Sequence, residues 1–382
     1  MATVFTRRDC LAALGSAAAL SAAGATLHAG SVARTETQRD PAGACPEGTF
    51  DPFEIPPGRK QFGYLSVTNS PAARIDMPVC VVNGVATGPT FAVTGGLYPT
   101  EYAGVEAAAR LYQALQPSDV AGRVVIVPVV NMPCLQFRTP WLNLTQSISP
   151  MDGANINNVF PGNPDGTVTR VVADKLFTGI VLKSNYHVDL RGGDLNESHL
   201  VHTIFPRIGR DVDKVSEAMA KIVGYEYVLP GTPDISHTGP GTLVYETVMR
   251  GIPSIITESG LGYETQPREE HIALHVDGVT NILRHLGMLK GAPKRPARQR
   301  FLDTTWHRVR TPVSGIFQAI ADQGDLLEKG QPIGRVTDLD GSELGRLASP
   351  IDGVVHTMFP RRVVYRGDNC YTLLEIGGPT GW

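Results

Sequence analysis

Five residues able to do chemistry fall just beyond short apolar runs of the sequence. Tyr98 and Glu101 follow 90–93, Arg138 follows 124–130, Arg191 follows 187–190 and Glu258 follows 252–256. The two carboxylates can take up a proton. The two guanidiniums stay protonated and can only donate hydrogen bonds, while the phenol gives up its proton near pH ~10. A carboxylate and a fixed cation brought to one place are equipment for acid–base work at a polar bond, with the cation answering charge that develops on oxygen.

The runs that must position these residues read as buried strands: 79–82, 90–93, 124–130, 187–190, 226–229 and 252–256. Between them lie amphipathic stretches, best seen over 101–115, where Ala103, Val105, Ala107, Leu111 and Leu115 give partial helical spacing. Strands alternating with helices predict an α/β domain around a mostly parallel or mixed sheet. In such sheets ligands gather at the carboxyl ends of the strands, which singles out 95–101, 131–138, 191–194 and 258–262 on pattern alone.

Composition sets the outer bounds. With 42% apolar and 19% charged residues, the 382-residue chain is expected to fold as a soluble globular protein, one large domain and a smaller one. A formal net charge of -3 and the lack of a basic cluster argue against a nucleic-acid partner. The expected partner is a small molecule or a polymer-derived substrate. Thr6, Arg7 and Arg8 precede an uncharged, Ala-rich run over 12–25, the pattern of a twin-arginine signal peptide. Residues 1–29 are therefore expected to direct export to the periplasm through the twin-arginine machinery. The run is short for a spanning helix and broken by Gly15 and Gly24, so no permanent membrane anchor is expected. Beyond the signal, Cys45, Cys80, Cys134 and Cys370 remain, whose pairing spacing cannot decide, with Cys80 and Cys134 expected as buried thiols.

Residues 30–61 read as a linker, 62–290 as the main domain and 291–305, basic and proline-containing, as a second linker. Over 306–382 the sequence echoes itself. Pro312-Val313-Ser314-Gly315 answers Pro350-Ile351-Asp352-Gly353, and Gly324-Asp325 answers Gly367-Asp368. Two similar β halves predict a small all-β barrel-sandwich resembling biotinyl and lipoyl domains. The join between the halves, 337–347, has no lysine to carry a prosthetic group, so a role in packing or in shaping the substrate site is expected.

Four ordered motifs carry a family resemblance over 63–289: Gly96-Leu97-Tyr98-Pro99-Thr100-Glu101, the run Asp152-Gly153-Ala154-Asn155-Ile156-Asn157-Asn158-Val159-Phe160-Pro161-Gly162, Asp189-Leu190-Arg191-Gly192-Gly193, and Glu258-Ser259-Gly260. In order, spacing and strand context the chain resembles the succinylglutamate desuccinylase and aspartoacylase family. The resemblance implies a zinc-carboxypeptidase-like fold, a central mixed sheet flanked by helices, and hydrolysis of an acylated amine. In that family a His, a Glu three residues later and a second His hold zinc, and the late Glu is the general base. Those positions here are Tyr98, Glu101, Arg191 and Glu258, so two of three ligand histidines are replaced and zinc is doubtful. Arg138 stands where the family has an arginine that polarises the scissile carbonyl. Asn158 replaces a carboxylate-gripping arginine, leaving hydrogen bonding without the bidentate cation. Asn155, Asn157, Asn158 and Asp189 are the candidate substrate-binding residues, with Asn155 and Asn157 also readable as loop pins.

The expected electrostatics follow from the replacement. Arg191 is expected to pair with Glu101, take over part of the metal's role and depress the Tyr98 pKa, making the phenol an auxiliary acid or base. Three classes of function stay open: a hydrolase with altered metal dependence, a metal-independent lyase using Tyr98 and Arg191, and a binding protein with a degenerate site. A relocated metal site built from Glu101 and His187 with His199 or His202 is also conceivable, while His237 reads as a loop residue. All of this requires Arg191 to turn inward, near Glu258.

Overall fold

The apolar runs that precede the reactive residues become neighbouring strands. In the computed structural model the described residues are 50–68, 74–137, 148–235, 237–262, 266–360 and 363–380. The expected signal segment, Cys45 and Arg138 lie outside them. In chain order the elements are β1 (Arg59–Thr68), β2 (Ile75–Asn83), β3 (Ala86–Gly95), α1 (Tyr102–Ala114), β4 (Ala121–Val127), α2 (Met132–Phe137), α3 (Val168–Gly179), β5 (Tyr186–Arg191), β6 (Ser198–His199), β7 (His202–Pro206), α4 (Val212–Ile222), β8 (Tyr227–Gly231), α5 (Leu243–Met249), β9 (Ser254–Glu258), α6 (Glu269–His285) and β10 (Arg300–Leu302). A C-terminal β region adds β11 (His307–Arg310), β12 (Gly315–Ala319), β13 (Leu326–Leu327), β14 (Pro332–Thr337), β15 (Glu343–Ala348), β16 (Gly353–Met358), β17 (Val363–Val364), β18 (Asn369–Leu374) and β19 (Ile376–Pro379).

Ten strands form the main sheet, in the order β1-β2-β4-β3-β5-β9-β7-β8-β10-β19. Its centre, β4-β3-β5-β9, is parallel, and antiparallel pairings at β1/β2, β2/β4, β7/β9 and β10/β19 make the sheet mixed. All six expected runs are strands, with ends moved by identifiable residues. β4 stops at Val127 because Pro128 has no N–H to give the ladder. β9 starts at Ser254, after Pro253, and carries on to Glu258, so the glutamate ends the strand rather than following it. β1 begins at Arg59, inside the stretch expected as linker. β7 was not expected: His202-Thr203-Ile204-Phe205-Pro206 is too short and too polar at its start to read as a strand.

Helices cover both sheet faces. On one, Ala103, Ala107, Ala108 and Leu111 of α1, Met219 and Ala220 of α4, and Ile272, Val279 and Ile282 of α6 pack on Phe91, Val93, Val188 and Ile255. On the other, Val172, Ala173, Leu176 and Phe177 of α3 pack on Val79, Val81, Ala92 and Val125. Each of the larger side chains contributes about 1.5–3 kcal/mol by leaving water and each alanine methyl about 0.8, and together they fix the strand ends that carry the site. No helix among the described residues is long and apolar enough to cross a membrane.

In the C-terminal region β11-β18-β16-β13 and β15-β14-β12-β17 form two sheets, with Phe317, Ile333, Val336, Leu347, Val355 and Tyr371 in their common core. This region is stitched to the main sheet. β10 lies within the stretch expected as the second linker, and β19 returns to pair with it. β6 pairs with β16 from the other side, and Leu200, Ile204, Ile256, Val354 and Leu374 share one core. Cys80 and Cys134 are free thiols; Cys80 is buried and Cys134 half-buried, and burial pushes their pKa values up to about 12 and about 11.

Candidate functional site

Register brings the key residues together. Arg191 ends β5 opposite Glu258, which ends β9, and His202 of β7 lies opposite Glu258 on its other side. Beyond the strands the pairing continues through Ser259 N donating to Arg191 O (3.0 Å) and Gly193 N to Gly260 O (3.0 Å). Only glycine allows this approach: a Cβ on Gly192 would stand 2.4 Å from Ser259 O, and one on Gly193 2.2 Å from the Gly262 nitrogen. Helix α6 braces the same segment. His275 Nε2 donates to Ser259 O (3.0 Å), its Nδ1 meets Thr257 Oγ1 (2.9 Å), and His271 Nδ1 meets Ser259 Oγ (3.1 Å). These two histidines, four residues apart on α6, were not singled out from the sequence, because nothing local ties them to β9.

Arg191 turns inward. Its side chain and that of Glu101 are each 2% exposed, and the guanidinium grips the carboxylate with Nε donating to Oε2 at 2.7 Å and Nη2 to Oε1 at 3.2 Å. Its carbon lies 4.1 Å from the centre of the Tyr98 ring, a cation–π contact. Nη1 reaches Asp189 Oδ2 only at 3.6 Å and has no hydrogen-bond partner in the protein. Glu258 Oε2, equally buried, has none either. Burial raises the Glu101 carboxyl's pKa and Arg191 is the chief opposing influence. A guanidinium cannot release its proton, so it holds Glu101 as the carboxylate through two charge-assisted bonds. Glu258 lacks such bonds: burial lifts it to about 7, against the pull of His199 and Arg191.

Tyr98 departs from expectation. Burial outweighs Arg191 and pushes the phenol up to about 12, and its hydroxyl donates to Asn155 Oδ1 at 3.0 Å. It is therefore a fixed donor instead of the depressed, proton-exchanging group expected from the sequence. Asn155 Oδ1 also accepts from Asn157 N (2.8 Å), and Asn157 Oδ1 accepts from Leu243 N (3.0 Å), so both asparagines pin the loop. Asn158 is exposed. Asp189 accepts from Thr94 Oγ1 at 2.6 Å and stands behind Arg191. Asp152, at the head of the same motif, receives Thr169 N (2.9 Å) and Oγ1 (2.6 Å) and fixes the start of α3.

The positions that the resemblance assigns to zinc do not fit a metal ion. Both Glu101 oxygens are taken by Arg191, whose cation stands among them, and Tyr98 keeps its proton. The relocated site is not assembled. His187 spends Nε2 on Thr94 Oγ1 (3.0 Å) and Nδ1 on Ser254 Oγ (2.7 Å), and His202 spends Nδ1 on Leu200 O (2.7 Å). Among the described residues no group of three or more His, Cys, Asp or Glu side chains is placed to hold a metal ion.

One part of the site was not legible in the sequence. Glu197, 3.5 Å from His199, is held as an anion with a pKa near about 2: burial raises it, and the charge and hydrogen bond of His199 more than offset this. With His237, Trp306, Arg308 and Thr357 these two residues line a cavity of about 320 Å³ between the main sheet and the C-terminal β region.

The family model for the succinylglutamate desuccinylase/aspartoacylase catalytic domain matches residues 87–286. Among curated proteins the chain is similar to the N-alpha-acetyl-L-2,4-diaminobutyric acid deacetylase of Halomonas elongata, 29% identical over 335 residues that cover 85% of this chain and 93% of that one. Among solved structures it is similar to a succinylglutamate desuccinylase/aspartoacylase from Rhodobacter sphaeroides, with 26% identity, TM-score 0.72, and 85% and 98% of the two chains covered. The product-bound ectoine utilization protein EutE (DoeB) from Ruegeria pomeroyi shares the fold at 24% identity and TM-score 0.74, over 84% of this chain and 98% of that one.

Proposed function

From the premise that this chain belongs to the succinylglutamate desuccinylase/aspartoacylase family, we propose that it is an exported deacylase that hydrolyses the amide of an acylated amino acid, with Arg191 in place of the family's metal. The observation that carries this reading is the pair of buried, unpartnered atoms on register-paired residues: a donor, Arg191 Nη1, and an acceptor, Glu258 Oε2. Leaving such groups unsatisfied costs about 1–3 kcal/mol each, and a water attacking a carbonyl supplies both partners at once. Glu258, titrating at about 7, takes the proton of the attacking water. Nη1 donates to the carbonyl oxygen as it becomes an oxyanion. On collapse of the tetrahedral intermediate the carbon–nitrogen bond breaks, and the proton held by Glu258 passes to the leaving amine. The lyase alternative loses support because the Tyr98 hydroxyl is committed to Asn155.

The test is release of free amine from N-alpha-acetyl-L-2,4-diaminobutyrate, the substrate in the name of the Halomonas elongata relative, beside N-acetylaspartate and N-succinylglutamate. Turnover is expected to survive chelator and to fall by about 10³-fold or more in Glu258→Gln. Absence of amine from all three compounds, or activity that chelator abolishes and zinc restores, refutes the proposal.

A further inference from the structure

Four buried side chains link the main sheet to the C-terminal β region in one hydrogen-bond chain, and a single carbonyl sets its direction. Leu200 O can only accept, so His202 Nδ1, 2.7 Å away, carries a proton. His202 Nε2 lies 3.2 Å from His356 Nε2, and one of the two must be a bare acceptor. Burial pushes both imidazoles to the neutral form and no carboxylate offsets it, so His202 accepts and His356 donates. His356 Nδ1 is then bare and accepts from Thr357 Oγ1 at 2.7 Å. The threonine oxygen, its proton spent, accepts from His199 Nδ1 at 3.2 Å. That leaves His199 Nε2 facing Glu197 Oε1 at 3.5 Å, where a lone pair would meet an anion and an N–H meets an acceptor.

Resting on the deacylase reading, we propose that His199 is a positioning residue for Glu258: the chain anchored in β16 and β7 holds its imidazole doubly protonated, and that fixed positive charge favours the carboxylate form of the base. Backbone geometry supports the arrangement. Pairing of β6 with β16 sets His199 opposite Thr357, and Leu200 N donates to His356 O at 2.8 Å, so the relay is registered by strand pairing. The groups that face His199 are Glu197 on its own segment, Glu258 on β9, Arg191 on β5, His202 on β7, His237 after β8, and His356 and Thr357 on β16. Glu197 and Glu258 favour the cation. Arg191 and the neighbouring imidazoles oppose it, and the latter do so only if charged. Of the buried histidines here, His199 is pulled up, whereas His187, His202 and His237 are pushed down by burial to about 3, about 3 and about 4. The C-terminal β region thereby sets a charge inside the catalytic cleft without supplying a reacting group.

The test is a pH titration of the full-length protein with 15N-labelled histidine and 13C-carboxyl-labelled glutamate, which needs no substrate. The midpoint of His199 is expected to lie above the ordinary imidazole value of about 6.5, with protons on both nitrogens below it. Thr357→Val, which removes the acceptor, is expected to lower that midpoint by about one unit and to raise that of Glu258; Thr357→Ser is expected to restore both. With N-alpha-acetyl-L-2,4-diaminobutyrate, the acidic limb of kcat/KM moves to higher pH in Thr357→Val and returns in Thr357→Ser. A His199 midpoint at or below the ordinary imidazole value in the parent, or a Glu258 midpoint that stays put in Thr357→Val, overturns the proposal. Failure to turn over the substrate bears on the deacylase reading alone, since the titrations stand without it.

Discussion

Replacing Arg191 with methionine keeps most of its stem and removes the charge, and the structure sets what this costs. The guanidinium makes two bonds to Glu101, at 2.7 and 3.2 Å, in a place where both side chains are 2% exposed. Breaking a buried pair from one side costs about 3–5 kcal/mol, because the surviving charge is stranded. Here the upper end applies: Asp189 at 3.6 Å and Glu258 on the next strand lose the same cation. At ~2.1 cal/mol/K of unfolding entropy per residue, a chain of this size shifts Tm by only ~1–1.5 °C per kcal/mol, so Arg191→Met is expected to lose on the order of 5 °C at pH 7. Lowering the pH softens the loss, since Glu101 can then take up a proton. Glu101→Leu alone leaves the cation with Asp189 and costs somewhat less. The double variant, with an apolar pair of similar volume, is expected within ~1 kcal/mol of the parent, giving a coupling energy of ~3 kcal/mol or more by urea melts of all four proteins. A coupling below ~1 kcal/mol, or an Arg191→Met protein as stable as the parent, refutes the view that this pair anchors the site.

Further outcomes follow from the same geometry. Glu258 titrates at about 7 in the fold against about 4.3 unfolded. A raised carboxyl contributes stability that is complete below about 4.3 and lost as pH climbs through 7, so Glu258→Gln is expected to exceed the parent by ~3 kcal/mol at pH 8 and by little at pH 4. Equal differences at both pH values in paired thermal melts would contradict this. Restoring the family's ligands with Tyr98→His and Arg191→His beside Glu101 is expected to create a site for one zinc ion, measured by metal analysis after dialysis, and a metal-free double variant would count against the assigned positions. Exchange of Arg7 and Arg8 for lysine is expected to hold the protein in the cytoplasm on cell fractionation; unchanged export removes the twin-arginine reading.

How much of this was legible depended on where each partner sits in the chain. Arg191 and Glu258 could be placed because each closes an apolar run, and a strand's alternation carries its last residue to the sheet's carboxyl edge. The expected strands survived with ends shifted by Pro128 and Pro253, and the expected Arg191–Glu101 pair formed. The fate of Tyr98 was missed because its pKa is a balance of burial against one cation, and burial is a property of the whole core, beyond any local pattern. β7 was missed because a five-residue strand that opens on His202 shows no periodicity.

The charge on Glu258 shows the same limit at larger scale. The carboxylate answers to Arg191, one strand away and visible in a motif, and also to His199, whose protonation is set through Thr357 and His356, more than 150 residues further along. No spacing rule links 199 to 357; two residues of β6 laid against β16 do so. Since the 320 Å³ cavity is lined from both sides of that junction, by Glu197 and His199 as well as by Trp306, Arg308 and Thr357, substitutions at Trp306 or Arg308 are expected to alter KM while those at Thr357 shift the pH profile.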